Sequence, residues 1–277
     1  MNKKLRYISI AIAAVTGMAT STMVSANVCD DISYAEFTAA VDTAYGETNQ
    51  FGFGLPMWAT LMNVGGKVCY VYSVKGAQGS EAANGGATSG NNAWLGSRVI
   101  SAQKANTANQ FTIDGLAIST GAISALVYPG GSLYGLQHSN PVDARAAYAG
   151  TFGAYGTEND PLVGIRVGGV NVFGGGVAIY DNGVKVGAVG ASGDTSCRDH
   201  TLAYRLRFQL GLNTQPNDDG LVLAATPAAL FEQPACSVND PVPTAVQGTQ
   251  EFLATGGATG PFNDASDFGI RTSYVAP

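Results

Sequence analysis

The sequence predicts an α/β (α+β) chain, an antiparallel sheet with packed helices followed by a carboxy-terminal extension. Three observations carry this. Val177 to Tyr180 and Val184 to Val189 are short apolar runs on either side of Asp181-Asn-Gly183. Asn-Gly is the strongest short hairpin signal, because both turn residues take positive φ. Met57 to Val64 and Val68 to Val74 form a second such pair around Gly65-Gly66. Stretches with apolar residues at three- and four-residue spacing separate and follow these hairpins, as helices laid on a sheet require.

In chain order, a first helix is expected from Ile32 to about Tyr45, and the first hairpin follows it. Ala77 to Asn92 is rich in Gly, Ala, Ser and Asn and reads as a surface loop. Trp94 to Phe111 resumes as a helix with Leu95, Val99, Ala102 and Ala105 on one side. Ser119 to Tyr128 is a shorter helix halted by Pro129-Gly-Gly131. Leu133 to Val167 alternates turn residues with Tyr134, Tyr148, Phe152 and Tyr155, giving a structured loop region with one strand near Val163 to Val167. After the second hairpin, Gly190-Ala-Ser-Gly193 is small enough for backbone to approach backbone or a flat ligand. Ser196 with Asp199 fits a capping box for a last helix. Leu202, Ala203, Leu206 and Leu210 point that helix at the sheet and leave Arg198, Arg205 and Arg207 largely for other faces. The tail after Leu212 is rich in Pro, Gly and Ala and adds little evident core. Each half offers a helix and a hairpin, but the sequences are too unlike for a repeat.

The amino-terminus has the pattern of a secretory signal. Met1 to Arg6 is basic, Ile8 to Met18 is apolar, and Val24-Ser-Ala26 is a small-residue cleavage site. The domain plan is therefore a signal peptide over residues 1–26, a domain over 27–212 and an extension over 213–277. No later apolar stretch is long enough to span a bilayer, so a product exported to periplasm or medium is expected. Loss of Lys3, Lys4 and Arg6 with the signal leaves 11 basic against 20 acidic residues, a net −9. That balance, without a basic patch, argues against a nucleic-acid partner.

Cys29, Cys69, Cys197 and Cys236 all remain in the mature chain and form no C-x-x-C pair. Export favours two disulfides. Three pairings are possible, and Cys29–Cys69 with Cys197–Cys236 is preferred because each joins neighbouring segments. Their spacing matches no common zinc pattern.

The order of Val64-Gly-Gly66 at a hairpin turn, Ser101-Ala-Gln-Lys-Ala-Asn-Thr-Ala108 on a helix, Phe173-Gly-Gly-Gly176, and Val186-Gly-Ala-Val-Gly-Ala-Ser-Gly193 before a helix opening at Asp199 resembles the GlcG/HbpS-like haem-binding family. The likeness runs from about Phe51 to Leu212. Trp94-Leu-Gly-Ser-Arg-Val-Ile-Ser-Ala-Gln-Lys104, Ser132-Leu-Tyr-Gly-Leu-Gln137, Ser139-Asn-Pro-Val142 and Ser192-Gly-Asp-Thr-Ser-Cys-Arg-Asp-His200 are similar to an exported, cysteine-carrying branch. The resemblance implies a profilin-like sheet with helices against it, self-association into a homo-oligomer and, for some members, noncovalent haem at the surface. Other members are of unknown role or are fused to corrinoid-handling enzymes.

Noncovalent haem needs an axial donor, an apolar slot, and cations or amides for the propionates. The chain has two histidines. His138 lies on a loop with Tyr134, and His200 in the first turn of a helix beside Asp199, where the dipole disfavours a charged ring. Each is a candidate metal ligand, and each has a structural reading as a solvated or core histidine. Family members also use oxygen donors, which keeps Thr and Tyr open. Lys104 is a candidate for an anionic group or for a salt bridge, and Arg98, one turn earlier, has a weaker claim. Gly174, Gly175, Gly176 and Ser192 are candidate contacts, although close packing is the stronger reading of the glycines. C-x-x-C-H is absent, which removes covalent haem, and neither G-x-G-x-x-G nor G-x-x-x-x-G-K is present for nucleotide phosphate. G-x-S-x-G is also missing around Ser192, so a hydrolase built on Ser192 and His200 lacks its elbow. The reading is an exported haem- or tetrapyrrole-binding protein in uptake, buffering or sensing. Its alternatives are an oligomeric small-molecule-binding or scaffold protein without haem, and a cofactor-independent enzyme on a small metabolite.

Overall fold

The computed structural model describes residues 27–48, 52–74, 96–224, 232–234 and 270–271. The signal-like segment, the loop expected over 77–92, Trp94 and Cys236 lie outside the described residues.

Within that span the order is α1 (Val28–Asp31), α2 (Tyr34–Glu47), β1 (Trp58–Asn63), β2 (Val68–Ser73), α3 (Ser97–Phe111), a 3-10 helix (Gly121–Val127), α4 (Leu136–Ser139), α5 (Ala144–Ala147), a 3-10 turn (Phe152–Ala154), β3 (Gly176–Asp181), β4 (Val184–Ser192) and α6 (Ser196–Gln209). β1 to β4 form an antiparallel sheet of order β2-β1-β4-β3, so the two hairpins meet through β1 and β4. The expected antiparallel α+β architecture is the observed one. At the second turn Asn182 (φ 49°) and Gly183 (φ 81°) are both left-handed, as a two-residue hairpin requires.

Both faces of the sheet are covered. Along β1, Ala59 and Leu61 join Val177, Ile179, Val189 and Ala191 beneath α2 (Phe37, Val41, Ala44) and α6 (Leu202, Ala203, Leu206). The alternate residues Trp58 and Met62 pack with Val99, Ala102, Ala105 and Ala108 of α3, and Thr60 shares a 2.7 Å hydrogen bond with Ser101. This is period-two alternation with an apolar layer on either side.

Three expectations change on contact with the structure. The strand expected at 163–167 is absent. The loop region from Leu133 to Val167 instead holds the short helices α4 and α5 and a 3-10 turn, with turns and coil over 163–167, and its backbone is tied by Asp160, whose carboxylate accepts from Arg98, Gly156 N and Leu162 N. The α6 cap is Thr195, whose hydroxyl accepts from Arg198 N, so Ser196 begins the helix and its hydroxyl accepts from Gly174 N instead. Arg198, Arg205 and Arg207 are buried, not left on open faces. They are paired with Asp194, Glu47 and Asp219 respectively.

The chain past Leu212 contributes to the packing. Tyr180 N donates to Leu212 O, Asn217 exchanges two hydrogen bonds with the Ala117 backbone, and Asp219 binds Arg207 through two bonds of 2.8 and 2.7 Å. Leu221 is fully buried and begins β5 (Leu221–Ala224), which pairs in parallel with β6 (Glu232–Pro234) and β7 (Ile270–Arg271). At the other end of the chain, Cys29 and Cys69 are joined by a disulfide that ties α1 to β2. Cys197 is disulfide-bonded as well. No helix among the described residues is long and apolar enough to cross a membrane.

Candidate functional site

The second hairpin sets the geometry of the residues singled out from sequence. Gly176 and Gly190 are directly paired across β3 and β4, and both face α3. A Cβ at Gly190 would overlap the Ser101 carbonyl oxygen and lie 2.6 Å from Ala105 N; one at Gly176 would overlap the Lys104 carbonyl oxygen. Two glycines thus let a helix backbone sit directly on the sheet. Gly175 has φ 121°, and its Cβ would come within 2.9 Å of both Asp199 Cβ and Lys104 Nζ. Gly174 is pressed in the same way against Ser196 and His200. The glycine run is therefore spent on packing β3 between α3 and α6.

Lys104 is fully buried. Its ammonium donates to Asp199 Oδ2 at 2.6 Å and to Ala191 O at 3.2 Å, and sits 4.8 Å from the centroid of the Phe173 ring. The other Asp199 oxygen accepts from Asp194 N. Burial holds the Lys104 ammonium below its ordinary value, with Asp199 opposing. Burial likewise pushes the Asp199 carboxyl up to about 6, against the pull of Lys104 and the Asp194 amide. Asp199 could not be recognised as this partner from its place in a helix start, where it reads as a capping acid.

The remaining candidates divide by exposure. His200 is 0 % exposed, its ring 6.0 Å from that of Tyr204 along α6, so a porphyrin lying on the surface does not reach it. Ser192 is buried at the end of β4 opposite Trp58. Arg98 is occupied by Asp160 and by the Ala147 carbonyl, beneath the Tyr155 ring. His200, Lys104, Gly174, Gly175, Gly176 and Ser192 are all interior, which agrees with the structural reading of each and leaves none of them facing a ligand at the surface.

His138 and Tyr134 are different. Tyr134 is 64 % exposed, and His138 is exposed on α4. The helix itself is anchored: Leu136 packs against the Ile123, Val170 and Val172 cluster, and Gln137 Oε1 accepts from Val172 N at 3.3 Å. Downstream, Asn140–Asp143 runs antiparallel to Val167–Val170, with Val170 N on Asn140 O (3.1 Å), a bridge between Val142 and Gly168, and Asp143 N on Val167 O (2.9 Å). The imidazole thus projects into solvent from a fixed backbone.

Residues 86–206 match the family model described as haem degrading protein HbpS-like. The likeness is to the HbpS-like family. The HbpS-like span runs through α3, the α4 and α5 region, the second hairpin and most of α6, and leaves out the first hairpin. No curated protein matches the chain. Among solved structures, the crystal structure of a PduOC–haem complex is 20% identical, with a TM-score of 0.43 over 66% of this chain and 98% of its own. That of protein ORFY from Klebsiella pneumoniae is 21% identical, with a TM-score of 0.40 over 76% and 97%.

Proposed function

We propose that this protein is an exported, noncovalent haem-binding protein that carries haem at its surface with His138 as the axial ligand. The observation that carries the reading is the HbpS-like match over residues 86–206, which contains His138. The side chains fit the group. Of the chain's two histidines His200 is interior and His138 is exposed, so a porphyrin has one imidazole to meet. Bound haem supplies a redox-active iron. The chain supplies the donor, held on an anchored helix, and an exposed aromatic residue, Tyr134, four positions earlier.

Export is supported by the signal-like residues 1–26 and by the Cys29–Cys69 disulfide, which suits an oxidising compartment. Outside the cytoplasm such a protein would capture, buffer or sense haem. Self-association, implied by the family resemblance, belongs to the same proposal.

The test is a haemin titration of the disulfide-bonded protein followed by visible absorbance, with light scattering on the same samples. Saturable binding with a Soret band that His138→Ala removes is the expected result. A wild-type protein that gives no saturable Soret change would overturn the reading. His200→Ala is expected to lower stability, and loss of haem only in that variant, with its fold intact, would move the ligand to His200.

A further inference from the structure

A surface haem brings two carboxylates, which need cations free to meet them. The chain is acidic, and among the described residues its buried cations are already committed: Arg98, Lys104, Arg198, Arg205 and Arg207 each face a carboxylate. Lys185 is spent on the carbonyls of Asn109 and Thr112. Arg145 and Arg166 differ. Both are exposed, and among the described residues neither makes an ion pair. Arg166 uses Nε on the Gly65 carbonyl. Asp143, the nearest acid to Arg145 in the chain, spends Oδ1 on the backbone N–H groups of Arg145 and Ala146.

The fold brings these residues to one place. Asp143 N donates to Val167 O, which sets Arg145 and Arg166 within two residues of a single hydrogen bond. Val68 N donates to Ile165 O, which adds Lys67; its stem runs beside Gly164. From this cluster the paired segments Asn140–Asp143 and Val167–Val170 lead back to α4 and His138. Three extended residues from Asn140 to Asp143 span roughly 10 Å. The surface between is small and partly apolar, with Pro141 exposed and Val142 and Gly168 half-buried. A donor imidazole at one end and three cations at the other bracket a short strip with little side-chain relief.

We propose that Arg145 and Arg166, assisted by Lys67, form the carboxylate-binding end of the haem surface and receive the propionates of a haem ligated at His138. The inference rests on the haem reading above. The strip orients the porphyrin: iron toward α4, charged edge toward the Gly65 turn. Binding then has a salt-dependent component, because exposed charge pairs are screened.

The test compares haemin affinity of the wild-type protein, Arg145→Glu/Arg166→Glu and Arg145→Lys/Arg166→Lys at low and high salt, with circular dichroism confirming the fold of each. The Glu pair is expected to weaken haemin binding by about tenfold or more, as loss of charge-assisted bonds predicts, with an unchanged Soret position. It should also flatten the salt dependence, while the Lys pair retains most of the affinity. Wild-type binding that is lost in His138→Ala but unchanged in the Glu pair would overturn this inference and leave the haem reading standing. A wild-type protein that does not bind haemin would overturn both.

Discussion

The Lys104 ammonium and the Asp199 carboxylate meet 2.6 Å apart in the interior, one from the helix on each face of the sheet. α3 and α6 are separated by the strands along most of their length. Where β3 begins the chain thins to Gly174-Gly-Gly176, and the two side chains reach each other past it, with the Lys104 ammonium against the Phe173 ring. The pair works as a cross-tie between the two helical layers.

Breaking that tie from one side leaves a buried charge without its counter-charge, which costs about 3–5 kcal/mol. Lys104→Met and Asp199→Leu are each expected to lose stability of that order in urea unfolding. The double variant should lose clearly less than the sum, because it removes the desolvation of both charges. Additive losses would show that the two side chains act independently.

The same pair sets a pH dependence. The folded Asp199 carboxyl, pushed up to about 6, holds its proton more tightly than the unfolded chain, whose value is the ordinary 3.8. Its contribution to stability is therefore greatest below that value and is lost as pH rises through about 6. Measured as the difference in unfolding free energy between wild type and Asp199→Asn, the wild-type advantage should fall from pH 4 to pH 6. An advantage that grows over that window would mean the carboxyl is held below its ordinary value instead.

Hairpins and helices were legible because their signals are local: Asn182-Gly183 dictates its own turn, and Val99, Ala102 and Ala105 dictate a helix face. What could not be read was pairing at long range. Lys104 and Asp199 are 95 residues apart, and Arg98 and Asp160 are 62 apart, so nothing in either neighbourhood announces the partner. Buried arginines were misread for the same reason, since a charge at helical spacing looks solvated until its counter-charge is placed. The candidate site divides the same way. For Gly174, Gly175 and Gly176 close packing is the stronger reading in the sequence and is what the structure shows, whereas Arg145 and Arg166, plain residues in a loop without periodicity, are brought near each other only by the Asp143–Val167 hydrogen bond.

Gly190 tests the packing reading of the glycines. Its Cβ would strike the α3 backbone at Ser101 and Ala105, and backbone cannot rotate away as a side-chain end can. Gly190→Ala is expected to cost about 3 kcal/mol or more, at the upper end of overpacking effects. Gly115→Ala, where nothing lies within 4 Å, is the control and should stay within about 0.5 kcal/mol of wild type. Equal effects of the two substitutions in thermal unfolding would refute close packing at Gly190.

The Cys29–Cys69 disulfide closes a span of 40 residues that includes α2 and β1. A cross-link of that length restricts the unfolded chain by about 4 kcal/mol on the loop-entropy account. It also fastens α1, a four-residue helix that buries only Val28 and holds little else in place. Cys29→Ser/Cys69→Ser should therefore lower unfolding stability by up to that amount while Cys197 keeps its bond. Amide exchange should rise first in residues 28–31, with the β3–β4 hairpin still protected, because α1 lies against β1 and β2 whereas the hairpin is packed by α3 and α6. If exchange rose equally in β3 and β4, the disulfide would be holding the whole sheet together rather than pinning one end of the chain to it.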